Sequence, residues 1–174
     1  MKKFYTILLL FLVSISLQAQ WGEIMVGIDG LTCSMCSKGT ESSLKKLDFI
    51  ETIKMDLNKN IALITVKKDA RVRVADIAKK ITDAGFSVRF IQATYTFSNK
   101  VVSEENYLLL GGTKVRVIQA DNNILDGKTM VQFIDKEFLP KKSYKTIEHL
   151  LSKYLPYNPN DRIYNVRIIT TPLT

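Results

Sequence analysis

The chain has 174 residues, 46% of them apolar, with 25 Lys and Arg against 17 Asp and Glu for a formal charge of +8, and 2 cysteines. An ordinary apolar fraction excludes a disordered or collagen-like chain, and two cysteines are too few for a disulfide-stapled miniprotein. The length allows two small domains, or one domain with an extension.

Met1 is followed by Lys2 and Lys3, an apolar stretch from Ile7 to Val13, then Ser14, Ser16 and Ala19. That is the layout of a secretory signal peptide, so residues 1–19 are expected to be a leader cleaved after Ala19, leaving an exported product, periplasmic or secreted. The apolar stretch is short for about 30 Å of hydrocarbon, and no later run is long enough, so no stable membrane insertion is expected. No cysteine stands there to carry a lipid. Loss of Lys2 and Lys3 lowers the formal charge to +6. The remaining basic residues come in pairs (Lys45 and Lys46, Lys67 and Lys68, Lys79 and Lys80, Lys141 and Lys142) with few aromatics between them. They read as solvated faces, not as a nucleic-acid surface, and no nucleic acid is expected as a partner.

Ile24, Val26 and Ile28 share one face over Glu23 to Asp29, alternating with other residues, which predicts a strand that Gly30 ends. From about Ser34 to Leu47 the spacing turns helical, with Thr40, Leu44 and Leu47 on one side. Ile53, Met55 and Leu57 form a second strand; Asn58, Lys59 and Asn60 break it, and Ile61 to Lys67 completes a hairpin. Val74, Ile77, Ala78, Ile81 and Ala84 mark a second amphipathic helix that Gly85 stops, its start blurred by Arg73, a poor cap. Phe86, Val88 and Phe90 then alternate with Ser87, Arg89 and Ile91 as a fourth strand.

The order β, α, β, β, α, β is the split βαβ, or ferredoxin-like, motif: two helices over one face of a four-stranded antiparallel sheet. On the other face Met25, Ile61 and Leu63, joined by Ile91, form an apolar strip that asks for a cover, either the later part of the chain or a second copy in a homodimer. Beyond residue 92, Ala93, Tyr95 and Phe97 continue the alternation. Tyr107 to Leu110, Lys114 to Gln119, Thr129 to Ile134 and Arg162 to Ile169 read as strands, separated by Gly111-Gly112, Asp121-Asn122-Asn123 and Asp126-Gly127. Ile147, Leu150, Leu151 and Tyr154 predict one helix, closed by Pro156. The expected fold class is α+β, with a ferredoxin-like domain over 22–92 and a β-rich module with one helix over 93–174.

The chemistry concentrates in Gly30-Leu31-Thr32-Cys33-Ser34-Met35-Cys36. Cys33 and Cys36 fall between the first strand and first helix, where the free N–H groups and positive dipole end of the helix favour thiolates. Two thiolates suit a soft ion of low coordination number, Cu(I) first, and not Mg²⁺ or Ca²⁺.

From about Ile24 to Phe90 the chain resembles the heavy-metal-associated domain of copper chaperones, of the N-terminal modules of copper-transporting P-type ATPases and of periplasmic mercury-binding proteins. The resemblance rests on Gly-x-Thr-Cys-x-x-Cys after the first strand, on Leu44 and Leu47, on the alternation Ile50, Ile53, Met55, Leu57, and on Asp83-Ala84-Gly85-Phe86. It implies one soft metal ion held by Cys33 and Cys36, Cu(I) before Zn(II), Ag(I), Hg(II) or Cd(II). It also implies a metallochaperone, buffer or sensor that passes the ion by ligand exchange to or from a donor or acceptor protein such as a copper transporter. Leu31 stands where the family usually has Met, and Phe49 where it often has Gly; Phe86 matches an aromatic that shields the metal.

Other readings compete. A thiol-disulfide redox protein usually has an aromatic before its first cysteine and Gly-Pro or Pro-His between the two; Thr32 and Ser34-Met35 supply neither. A structural zinc site needs about four ligands, and His149 is the only further nitrogen donor, on the polar side of its helix. The pair could also simply close a short disulfide in an exported protein, or the chain could be an interaction module with an incidental metal site. Met35 could add a weak thioether ligand, but reads first as a solvent-facing loop residue. No carboxylate pair, serine or cysteine nucleophile with a histidine base, or phosphate loop is present, so no enzyme is expected.

Overall fold

The structure is a computed structural model that describes residues 21–103, 107–118, 124–154 and 162–170. The leader, the Asp121–Asn123 turn and Pro156 lie outside the described residues. The elements run β1 (Trp21–Asp29), α1 (Ser34–Leu44), β2 (Ile50–Asp56), β3 (Ile61–Val66), α2 (Val74–Asp83), β4 (Ser87–Val101), β5 (Leu108–Leu110), β6 (Thr113–Val117), β7 (Ile124–Phe133), α3 (Lys141–Leu151) and β8 (Tyr164–Ile169), with a 3₁₀ turn at Ser152–Tyr154.

The first six elements form the ferredoxin-like unit, with β2-β3-β1-β4 all antiparallel. Its core follows from the two periodicities. Ile24, Val26 and Ile28 of β1 meet Leu44 of α1 and Val74, Ile77 and Ile81 of α2, all fully buried. At about 1.5–3 kcal/mol per large side chain removed from water, this layer dominates the stability of the unit. Arg73 caps α2 with no side-chain bond, as its identity predicts. Its guanidinium is held instead by Asp76 and Asp48 at 2.6 and 2.8 Å and lies over Phe49, which is buried. The helix ends in a Schellman turn: Gly85, at φ +87°, donates to Thr82 O and Phe86 N donates to Ile81 O.

A boundary at 92/93 falls inside β4. This strand runs 15 residues, pairing first with β1 and then with β7, so the later strands extend the same sheet to order β2-β3-β1-β4-β7-β8-β6-β5. All pairs are antiparallel except β6 with β8. Gly111 and Gly112 make the β5–β6 turn, both at positive φ, and that turn packs against Trp21 and Arg71. Asp126-Gly127 is not a turn but lies inside β7, opposite an irregularity in β4 where Asn99, also at positive φ, donates its N–H to Asp126.

The alternation expected for β4 breaks at Arg89. Gly27 pairs with Phe90 but Ile28 with Val88, leaving Arg89 as the extra residue of a bulge. One extra residue reverses the two faces, so Ile91 is fully buried on the helix side with Ala93 and Tyr95, and Phe90 faces the other way. Ile91 therefore does not join the strip of Met25, Ile61 and Leu63. Within that strip Ile61 is buried whereas Met25 and Leu63 are half-buried. The later module does not lie squarely over it: α3 packs on the same face but farther along, with Leu151, Ile147 and Tyr144 against Ile118 and Ile134. The two halves are joined through β4 and one continuous core.

Candidate metal centre

Gly30, at φ +94°, turns the chain out of β1, and Thr32 N bonds back to Gly30 O at 2.9 Å. Leu31 is buried beneath the loop. Cys33, extended at φ −140° and ψ 155°, is the N-cap of α1, and its sulfur accepts the Cys36 backbone N–H at 3.1 Å. A cysteine sulfur thus takes the place that a serine or aspartate oxygen usually fills at a helix start. Cys33 is exposed and Cys36 half-buried, and neither is in a disulfide. The helix is anchored below them by Thr40, fully buried, whose hydroxyl donates to Cys36 O at 3.0 Å.

Two neighbours fix the loop. A Cβ on Gly30 would lie 3.3 Å from Cδ1 of Phe86, so the aromatic expected near the metal packs on the loop backbone. Asn60, in the β2–β3 turn at φ +53°, accepts Ile28 N–H with its carbonyl at 2.9 Å. With its amide nitrogen facing the loop it also donates to Leu31 O at 2.7 Å. In sequence Asn60 reads only as part of a hairpin break; its tolerance of the left-handed region was the available signal. Met35 is 75% exposed, a solvent-facing residue as expected. His149 is exposed in the last turn of α3, away from any cysteine.

A model of the heavy-metal-associated domain matches residues 26–87. The chain carries a heavy-metal-associated domain over this stretch. The copper chaperone CopZ of Staphylococcus haemolyticus is 29% identical over 65 residues, 37% of this chain and 94% of the chaperone. A copper-binding domain from HMA7, a P-type ATPase, is 31% identical over 38% of this chain and 89% of its own, with a TM-score of 0.36. Oxidized MerP from Ralstonia metallidurans CH34 is 25% identical over 41% of this chain and 97% of its own, with a TM-score of 0.35.

In this heavy-metal-associated domain the two thiols are electrostatically unequal. The Cys36 thiol, and after it the Cys36 backbone N–H, hydrogen-bond the Cys33 sulfur and lower its pKa below that of an ordinary thiol. The same side-chain bond, then burial, then the charge on Cys33, raise that of Cys36. The helix terminus therefore favours one thiolate, at Cys33, whereas the sequence alone suggested that both would benefit. An ion with positive charge removes the obstacle to the second deprotonation. Among the described residues no cluster of three or more His, Cys, Asp and Glu side chains is placed to hold a metal, so a closed four-ligand zinc site has no donors here.

Proposed function

We propose that this chain is an exported carrier of Cu(I), held between Cys33 and Cys36 and passed to or from a partner by exchange of thiolates, without catalysis. The observation that carries the reading is the position of Cys33 as the N-cap sulfur of α1, receiving the Cys36 N–H at 3.1 Å: both cysteines stand on one turn at the rim of the domain. A soft monovalent ion asks for two or three sulfur ligands, and a rim site leaves room for an incoming thiol. The copper chaperone and copper-binding ATPase domain that match this region support copper as the metal. They also support a copper transporter as the kind of partner. Export rests on the basic, then apolar, then small-residue pattern of residues 1–19.

The test is titration of the reduced protein with Cu(I) against a chelator of known affinity. One equivalent bound tightly, and lost in Cys33→Ser, supports the assignment. Retention of tight binding in that variant places the copper elsewhere.

A further inference from the structure

On the sheet face opposite α1 and α2, a groove of about 380 Å³ runs between α3 and the sheet. Phe90 and Ile134 of the sheet and Ile147 of α3 line it beside two guanidiniums, those of Arg89 and Arg167; none of its lining residues carries a carboxylate. Arg89 is already engaged, lying over the Phe90 ring at 5.4 Å, donating to Lys59 O at 2.7 Å and standing 3.7 Å from Asp29. Arg167 differs. Its Nε donates at 2.9 Å to Oε1 of Gln132, a side chain only 1% exposed in the middle of the sheet. That bond fixes the guanidinium plane and leaves its Nη1 and Nη2 edge for a ligand. An edge of two parallel N–H donors matches the two oxygens of a carboxylate. The α3 end beside it adds no competing acid, since the first turn of that helix contains none.

We propose that this groove binds an aliphatic carboxylate, its head on the Nη edge of Arg167 and its hydrocarbon over Phe90, Ile134 and Ile147. The volume suits a short chain, because small-molecule clefts of about 300–1,000 Å³ are usual. The site is separate from the cysteine pair and needs no metal.

The test is calorimetric titration of the metal-free reduced protein with decanoate, acetate, 1-decanol and decyl phosphate, repeated on Arg167→Gln and Ile147→Ser with far-UV circular dichroism as the fold control. Decanoate is expected to bind at least tenfold more tightly than acetate or decanol, to lose at least tenfold in each variant, and to leave Cu(I) affinity unchanged in Arg167→Gln. Equal binding of acetate reduces the groove to surface charge, and equal binding of decanol reduces it to an apolar cleft. Tighter binding of decyl phosphate overturns the carboxylate assignment. Undiminished decanoate binding by Arg167→Gln overturns the site.

Discussion

Gly27 of β1 and Phe90 of β4 are register partners, and a Cβ on Gly27 would fall 2.5 Å from Cε1 of the Phe90 ring. The ring therefore occupies the space that a side chain on the central strand would need. Because Ile61 pairs with Gly27 from the other side, the three residues form one row on the helix-free face.

This contact predicts that Gly27→Ala destabilises the protein by about 1–3 kcal/mol, the usual cost of overpacking. The Phe90→Leu background should recover much of that loss, since the obstructing ring edge is gone. A double-mutant cycle by urea unfolding measures the coupling. Additive effects would show that the ring moves aside freely.

Gly85 offers a contrast. Nothing lies within 4 Å of where its Cβ would be, but φ is +87°. Gly85→Ala should cost about 1 kcal/mol through backbone strain alone, with no rescue from any neighbouring truncation. Asn at this position should cost less than Ala, because its side chain tolerates the left-handed region.

The unequal thiols predict unequal chemistry. In the reduced, metal-free protein, limited iodoacetamide at neutral pH should modify Cys33 ahead of Cys36, read by peptide mass mapping. Cys36→Ala removes the main hydrogen bond that lowers the Cys33 pKa and should slow alkylation of Cys33. Cu(I) affinity should climb with pH until Cys36, the later thiol to ionise, no longer holds its proton. An affinity independent of pH between mildly acidic and neutral solution would contradict the two-thiolate site.

Asp135 predicts a pH-dependent stability. Burial, above all, raises its pKa to about 6, against the bonds it accepts from Asn165 N and Nδ2 at 2.8 and 2.7 Å; Glu137 adds to the rise and Arg162 opposes it. A carboxyl whose folded pKa exceeds its unfolded value near 3.8 favours the fold while protonated. Its contribution is therefore present below about pH 4 and lost as pH rises through about 6, by at most about 3 kcal/mol. Subtracting the pH profile of Asp135→Asn from that of the natural protein should give a difference that falls over this window and is flat above it.

Local chemistry in the sequence determined the ferredoxin-like unit. Alternation in β1, β2 and β3, the i, i+3, i+4 spacing of Val74, Ile77 and Ala78, and glycines at 30 and 85 each act over a few residues. So does the cysteine pair, whose place at a strand-to-helix junction is set by chain order alone. Tertiary structure decided the rest, because a period-two pattern states which residues share a face but not which strands pair or where register slips. The bulge at Arg89 exchanged the faces of β4, burying Ile91 on the helix side and Phe90 on the opposite face; only pairing with β1 reveals it. Likewise the continuation of β4 onto β7, which joins both halves in one sheet, depends on backbone bonds that any extended sequence could make. The hold of Asn60 on the metal loop and the opposite shifts of Cys33 and Cys36 arise from contacts across turns, where distance in space and not spacing in the chain sets the energy.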